Sequence, residues 1–210
     1  MRAVSTVNVE STGRRIDFRM SPRDLINIGV FGALYVVTVG VFSLLEYLNP
    51  VATLVSVAAS IVGAGVPFML FLTRVRHAGM ITVLAVIVSG FMLLIGGPPI
   101  GFVVGMAAAV IAEVLLWVGR YRSRQLSVLA YAVFSTWFVG LFLPLFYARD
   151  EFLSSTSMQE RGAGYIEQLD ALLSPAVLLT FALSTLVFGL IGGVLGLRLL
   201  DKHFRKAGLA

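Results

Sequence analysis

The chain has 210 residues, of which 58% are hydrophobic and only 13% charged, with a mean hydropathy of +0.94. A water-soluble domain carries about a quarter charged residues, so this composition excludes one and points to a polytopic membrane protein with little room for a separate soluble domain. With no cysteine there is neither a disulfide framework nor a thiolate metal site, and the net charge of +5 takes its meaning from where the basic residues lie.

In chain order, residues 1–20 read as a polar cytoplasmic tail, in which "VSTVNVE" alternates weakly, as a short strand or as nothing. Ser21 and Asp24 then make a capping box with Pro22 at the first helical position, a well-defined helix start. Apolar runs near 20 residues follow one another, each long enough to cross about 30 Å of hydrocarbon. The predicted fold is all-α: a membrane domain over 21–210 with six transmembrane helices at about 24–47, 51–72, 79–95, 100–118, 127–147 and 176–198. The third is short and stops at "GGPP" (Gly96 to Pro99), where no helix continues. Connections are tight except at about 148–175, and a loop of that length has a job or is disordered. The first apolar run is followed by no small-residue cleavage site, which predicts that it is not a cleaved signal peptide. "GLIGGVLG" in the last span has no counterpart in the first half, so an inverted-repeat transporter is not supported.

Charge sets the expected direction. Arg2, Arg14, Arg15, Arg19 and Arg23 lie before the first span, Arg74 and Arg76 between the second and third, and Arg120, Arg122 and Arg124 between the fourth and fifth. Arg198, Lys202, Arg205 and Lys206 close the chain, which leaves only Arg149 and Arg161 for the other side, among five carboxylates. By the positive-inside rule both termini are predicted to be cytoplasmic in a multi-pass protein of the cell membrane. The basic balance is thus a topology signal and gives no support to a nucleic-acid partner.

Three spans carry stripes of small residues, which let helix backbones approach closely in lipid. On the first, Gly29, Ala33, Val36 and Gly40 share one face; on the fourth, Gly101, Gly105, Ala109 and Ala112; on the sixth, Gly189 and Gly193 beside Gly192 and Gly196. Packing inside the monomer accounts for the last two. For the first, docking of a foreign subunit competes with that reading.

"DLINIGVFGALYVV", "GVPFMLFLTRVRHAGMITV", "YAVFSTWFVGLFLPLFYARD" and "GGVLGLRLLDKHFRKAGLA" resemble, in order from about Ser21 to Ala210, the Trep_Strep family of integral membrane proteins. The resemblance implies a substrate-binding S component of an energy-coupling factor (ECF) importer: six helices that capture a micronutrient outside and dock on a T component driven by two ATP-binding cassette subunits. It also implies a docking motif, A-x-x-x-A, on the first helix. Here the matching positions are Gly29 and Ala33, with glycine in place of the first alanine, and Gly40 extends the face. The chain itself has no G-x-x-x-x-G-K-[ST] phosphate loop, and carboxylates suited to ion coupling are nearly absent from its spans, so the energy for active transport would come from another subunit.

Candidate substrate contacts lie at the outer end. Gly97, Pro98 and Pro99 form a rigid turn with exposed backbone groups, or an ordinary tight turn. Trp137 reads as packing or as a pocket wall, Tyr147 as an interfacial anchor or a mouth residue, Arg149 and Asp150 as a surface ion pair or a binding clamp. Glu46 reads as a solvated helix-end charge before it reads as a ligand, and Glu113 as snorkelling to a cytoplasmic arginine before it reads as a coupling residue. Tyr165, Ile166, Leu169, Leu172 and Leu173 share one helical face within the long loop, opposite Glu167, Gln168 and Asp170. That pattern suits a surface helix or, preferably, a lid over the mouth.

An enzyme is not expected, because both histidines, His77 and His203, fall in cytoplasmic segments and no span pairs a nucleophile with a base. Neither a cofactor nor a metal site is expected, and without an outer histidine or cysteine the ligand reads as a small organic molecule rather than a bare transition metal. The alternative to an S component is a stand-alone membrane carrier, channel or scaffold without ATPase partners.

Overall fold

In the computed structural model, residues 20–75 and 77–206 are described; the tail with its weak "VSTVNVE" alternation, Arg76 and the side chains beyond Lys202 lie outside these residues. Among the described residues the chain is helical throughout, without strands. Helix α1 covers Pro22–Ser43 and runs on into a 3-10 turn, Leu44–Tyr47. Helices α2 (Pro50–Leu72), α3 (Met80–Leu94), α4 (Pro99–Val118) and α5 (Arg124–Phe134) follow, then α6 (Ala163–Leu172) and the long α7 (Pro175–Lys206). Among the described residues, five segments are long and apolar enough to cross a bilayer: Pro22–Tyr47, Pro50–Leu72, Pro99–Val118, Arg124–Phe142 and Pro175–Lys202. The apolar α3, with 15 residues, is the shorter exception.

The helix ends explain these boundaries. Ser21 accepts from the Asp24 N–H while Asp24 accepts from the Ser21 N–H at 2.8 Å, the capping box expected from the sequence. Asn49 caps α2 through Ala52, with Pro50 at the first helical position. At the end of α3, Gly96 takes a φ of 92°; its N–H reaches Leu93 O at 3.2 Å and that of Gly97 reaches Met92 O at 2.8 Å, a Schellman closure.

The fifth span is less regular than the single helix expected over 127–147. After Phe134 it tightens into a 3-10 turn, Ser135–Phe138, where the Ser135 and Thr136 hydroxyls donate back to the carbonyls of Tyr131 and Val133. Pro144 then interrupts it before Tyr147, because proline offers no N–H to the preceding turn.

The helix α2 lies at the centre, with 56% of its apolar window buried against 22% for α1. It meets α7 through glycines: a Cβ on Gly65 would strike the Gly192 backbone, and one on Gly192 would come within 2.8 Å of Ile61 O. Gly101 of α4 faces Gly140 in the same way, and Gly189 backs onto Ala132. The small residues of the fourth and sixth spans thus serve packing within the chain, since in lipid close contact replaces the hydrophobic drive.

The aromatic core joins α1, α2 and the fifth span. Phe68 lies with its ring centroid 4.8 Å from that of Tyr131 and 4.9 Å from that of Phe134. Each polar tip finds a partner: Trp137 Nε1 donates to Tyr35 Oη at 2.9 Å, and Tyr131 Oη donates to the Ile61 carbonyl. A second, smaller cluster (Leu145, Met158, Leu169, Leu173 and Leu178) joins the long connection to the start of α7.

Candidate functional site

Two regions stand out from the packed bundle: the outward face of α1 and the end of the bundle covered by the long connection. The two ends are fixed by contacts. Asp24 lies 3.2 Å from His77 in the α2–α3 loop, and Asp201 pairs with Arg124 at the start of α5, so both described chain ends share one end of the bundle. The turn after α1 and the 148–175 connection occupy the opposite end.

On α1, Ile28, Gly32, Tyr35 and Val39 turn inward, and Gly32 touches Leu84 of α3. Gly29, Ala33 and Gly40 all face out, and a Cβ on Gly29 or Gly40 would meet nothing within 4 Å. Leu25, Ile26, Val30, Val37 and Val41 surround them, also exposed. Among the described residues the small-residue face of the first helix is therefore unoccupied, in contrast to those of α4 and α7.

At the other end the long connection is folded rather than loose. Short helical turns at Arg149–Leu153 and Thr156–Gln159 lead into α6, whose Leu169 is buried while Glu167, Gln168 and Asp170 point away. The amphipathic division expected from sequence is the one observed, and its apolar face packs onto the bundle end. Arg149 holds the C-terminal end of α6: Nε reaches Asp170 Oδ1 at 2.5 Å, Nη1 reaches Leu173 O at 2.8 Å and Nη2 reaches Asp170 O at 2.6 Å. Such a cation at a helix C-terminus is favourable against the macrodipole. Arg149 thus pairs with Asp170, not with its neighbour Asp150, which is exposed.

Glu46 is not the solvated charge expected at a helix end. Its Oε2 lies 3.1 Å from Arg161 Nη2, and its Oε1 accepts from Ser56 at 3.4 Å. Arg161 also donates to Tyr165 Oη at 2.9 Å, and Tyr165 Oη lies 2.6 Å from Thr53 Oγ1. Burial pulls the Arg161 pKa down, but Tyr165 and Glu46 more than offset it, and the net direction is upward. No sequence pattern links Arg161 and Tyr165 to Glu46, because 115 residues separate Glu46 from Arg161 and only the fold closes that gap.

The other candidates scatter. Gly97, Pro98 and Pro99 close the turn between α3 and α4; its glycine N–H groups are spent on the helix cap and its prolines have none to offer. Trp137 is 1% exposed and sealed in the core. Tyr147 and Phe146 face outward, whereas Phe142 packs against Phe181, with centroids 5.5 Å apart. An open-sided apolar groove of about 480 Å³ runs between α2 and α7, lined by Leu54, Val55, Ala58, Val177, Phe181 and Phe188; none of the residues expected from sequence lines it.

Glu113 departs from expectation as well. Among the described residues its partners are not arginines: Oε2 accepts from the N–H groups of Ile81 and Thr82 at 3.0 and 3.3 Å, and Oε1 accepts from Tyr121 Oη at 2.8 Å. Gly79, the residue before α3, has no side chain to cap that helix, so a carboxylate from α4 does so. Burial first, then the adjacent Glu113 carboxylate, pushes the Tyr121 pKa up and keeps it a donor.

No curated protein and no solved structure matches this chain. Residues 22–206, all but the tail and the last few positions, match the profile of a family described as hypothetical bacterial integral membrane proteins. The apolar helices, their glycine-mediated packing and this match agree: the chain belongs to the Trep_Strep family of bacterial integral membrane proteins.

Proposed function

We propose that this protein is the S component of an ECF-type importer. It would capture a small organic micronutrient at the bundle end covered by 148–175 and dock through α1 on a T component driven by two ATP-binding cassette subunits. In this reading α3 crosses the bilayer with the five longer spans to give six, both termini are cytoplasmic by the positive-inside rule, and the covered end faces outward. A short span fits a site that opens above it, since non-helical backbone is tolerated at membrane depth where it lines a cavity or is buried in protein.

The observation that carries the proposal is the open Gly29/Ala33/Gly40 face. A glycine in a helix interior costs roughly 1 kcal/mol relative to alanine, and at Gly29 and Gly40 no packing against the described residues offsets it. Close approach by a helix from another subunit supplies the reason. The test is a Gly29→Leu/Ala33→Leu double variant expressed with candidate T and ATPase subunits. It should lose co-purification and uptake while the isolated chain still retains ligand; an intact complex from that variant would overturn the proposal. Uptake by the single chain in liposomes without nucleotide would instead establish a stand-alone carrier.

A further inference from the structure

The guanidinium of Arg161 sits in a cage. Its Cζ lies 5.2 Å from the ring centroid of Tyr47 and 5.2 Å from that of Tyr165, with Glu46 Oε2 3.1 Å from Nη2 and the Glu46 carbonyl 3.5 Å from Nη1. The Arg161 side chain is 17% exposed and that of Glu46 23%. Two aromatic faces and a carboxylate around a largely desolvated cation make the arrangement proteins use to recognise organic cations.

The cage divides by origin. Glu46 and Tyr47 lie in the turn after α1, and Thr53 and Ser56 on α2, so the carboxylate, one ring and both hydroxyls belong to the bundle. Arg161 and Tyr165 belong to the 148–175 connection, which covers the bundle end as a lid would. If the connection lifts, the cation leaves with it. Glu46 is then left with the Ser56 hydroxyl as its hydrogen-bond partner among the described residues, and its negative charge is no longer neutralised. The fixed half is thus selective for positive charge, and an anion would meet Glu46 unshielded.

We propose that Arg161 is a tethered stand-in for the ligand, and that Glu46, Tyr47, Thr53 and Ser56 form a subsite for a guanidinium or ammonium group of a small organic cation, which enters as Arg161 withdraws. This rests on the importer reading only for the direction of entry; the subsite itself stands on the geometry of the single chain.

The test uses the full-length chain in detergent, chymotrypsin cleavage after Phe152 or Tyr165 as the measure of lid opening, and methylguanidinium chloride as the probe. Sodium chloride at equal ionic strength controls for screening. In the wild type, millimolar methylguanidinium should speed cleavage by competing with Arg161. Arg161→Ala should be cut about tenfold faster than wild type, because cleavage follows the open population. Methylguanidinium should slow that cleavage again by filling the vacated cage. Arg161→Ala combined with Glu46→Gln should not respond, and neither should Glu46→Gln alone, which keeps the tyrosine contacts of Arg161. Equal effects of the probe and sodium chloride on the wild type or on Arg161→Ala would overturn the proposal. The assay needs neither a T component nor nucleotide, so its failure leaves docking through Gly29 and Ala33 untouched, and failed docking leaves the cage result standing.

Discussion

Glu113 of α4 caps α3 at Ile81, its Oε2 accepting the Ile81 N–H at 3.0 Å. A helix start that lacks its own capping side chain is satisfied across an interhelical contact, and Tyr121 donates to the same carboxylate from the loop beyond α4. One acidic side chain thereby ties together α3, α4 and the α4–α5 turn. Removing it should be felt in stability, not in ligand selectivity.

Glu113→Ala should lower stability by about 2 kcal/mol, because two helix-start N–H groups and a phenol lose their acceptor together. Glu113→Gln keeps an acceptor oxygen and should lose less than half of that. Thermal unfolding in detergent, followed by size-exclusion chromatography, measures both. An alanine variant as stable as the parent would show that the cap contributes nothing.

Arg120 and Tyr121 adopt left-handed conformations, with φ of 52° and 55°, to turn the chain back so that Tyr121 reaches Glu113. Each non-glycine residue there costs roughly 1–2 kcal/mol. Arg120→Gly should therefore stabilise the protein by up to about 1 kcal/mol, because relief of the left-handed conformation outweighs the freedom that glycine adds to the unfolded chain. A lower melting temperature for this variant would contradict the account.

Glycines on two helices should respond oppositely. Gly192→Val forces atoms into the backbone of Ile61 and Val62, and overpacking of this kind costs about 1–3 kcal/mol or more. Gly29→Leu meets open space among the described residues and should raise the stability of the isolated chain by up to about 1 kcal/mol, the helix propensity that glycine forgoes. Parallel unfolding curves of the two variants check this; equal losses would mean that the α1 face is packed after all.

Trp137→Phe keeps most of the ring but strips the Tyr35 hydroxyl of its donor deep in the core. The expected loss is about 1 kcal/mol, and Tyr35→Phe combined with it should recover part of that loss, because no polar tip is then left unpaired. Additive losses in the double variant would show that the two residues are not coupled.

Much of this protein is legible from its sequence. Hydrophobic runs locate the spans, since each must bury its own backbone polar groups in lipid, and Ser21 and Gly96 mark helix ends by short-range hydrogen bonding. The amphipathic face of α6 is equally local. What failed were pairings between distant positions. Glu46 read as solvated because nothing near it in sequence neutralises it, and Glu113 read as seeking an arginine because Arg120 follows it seven positions on, just past the end of its helix.

By itself, then, the sequence determined an all-helical membrane protein with a basic end, glycine-lined helix faces and one long amphipathic connection, all properties of segments under about 25 residues. Only the tertiary structure decided which of three similar glycine stripes is left open, that Arg161 rather than solvent neutralises Glu46, and that Glu113 caps a neighbouring helix. The reason is physical: periodicity tells which residues share a face, but a face becomes core, surface or site only when the other helices have taken their places against it.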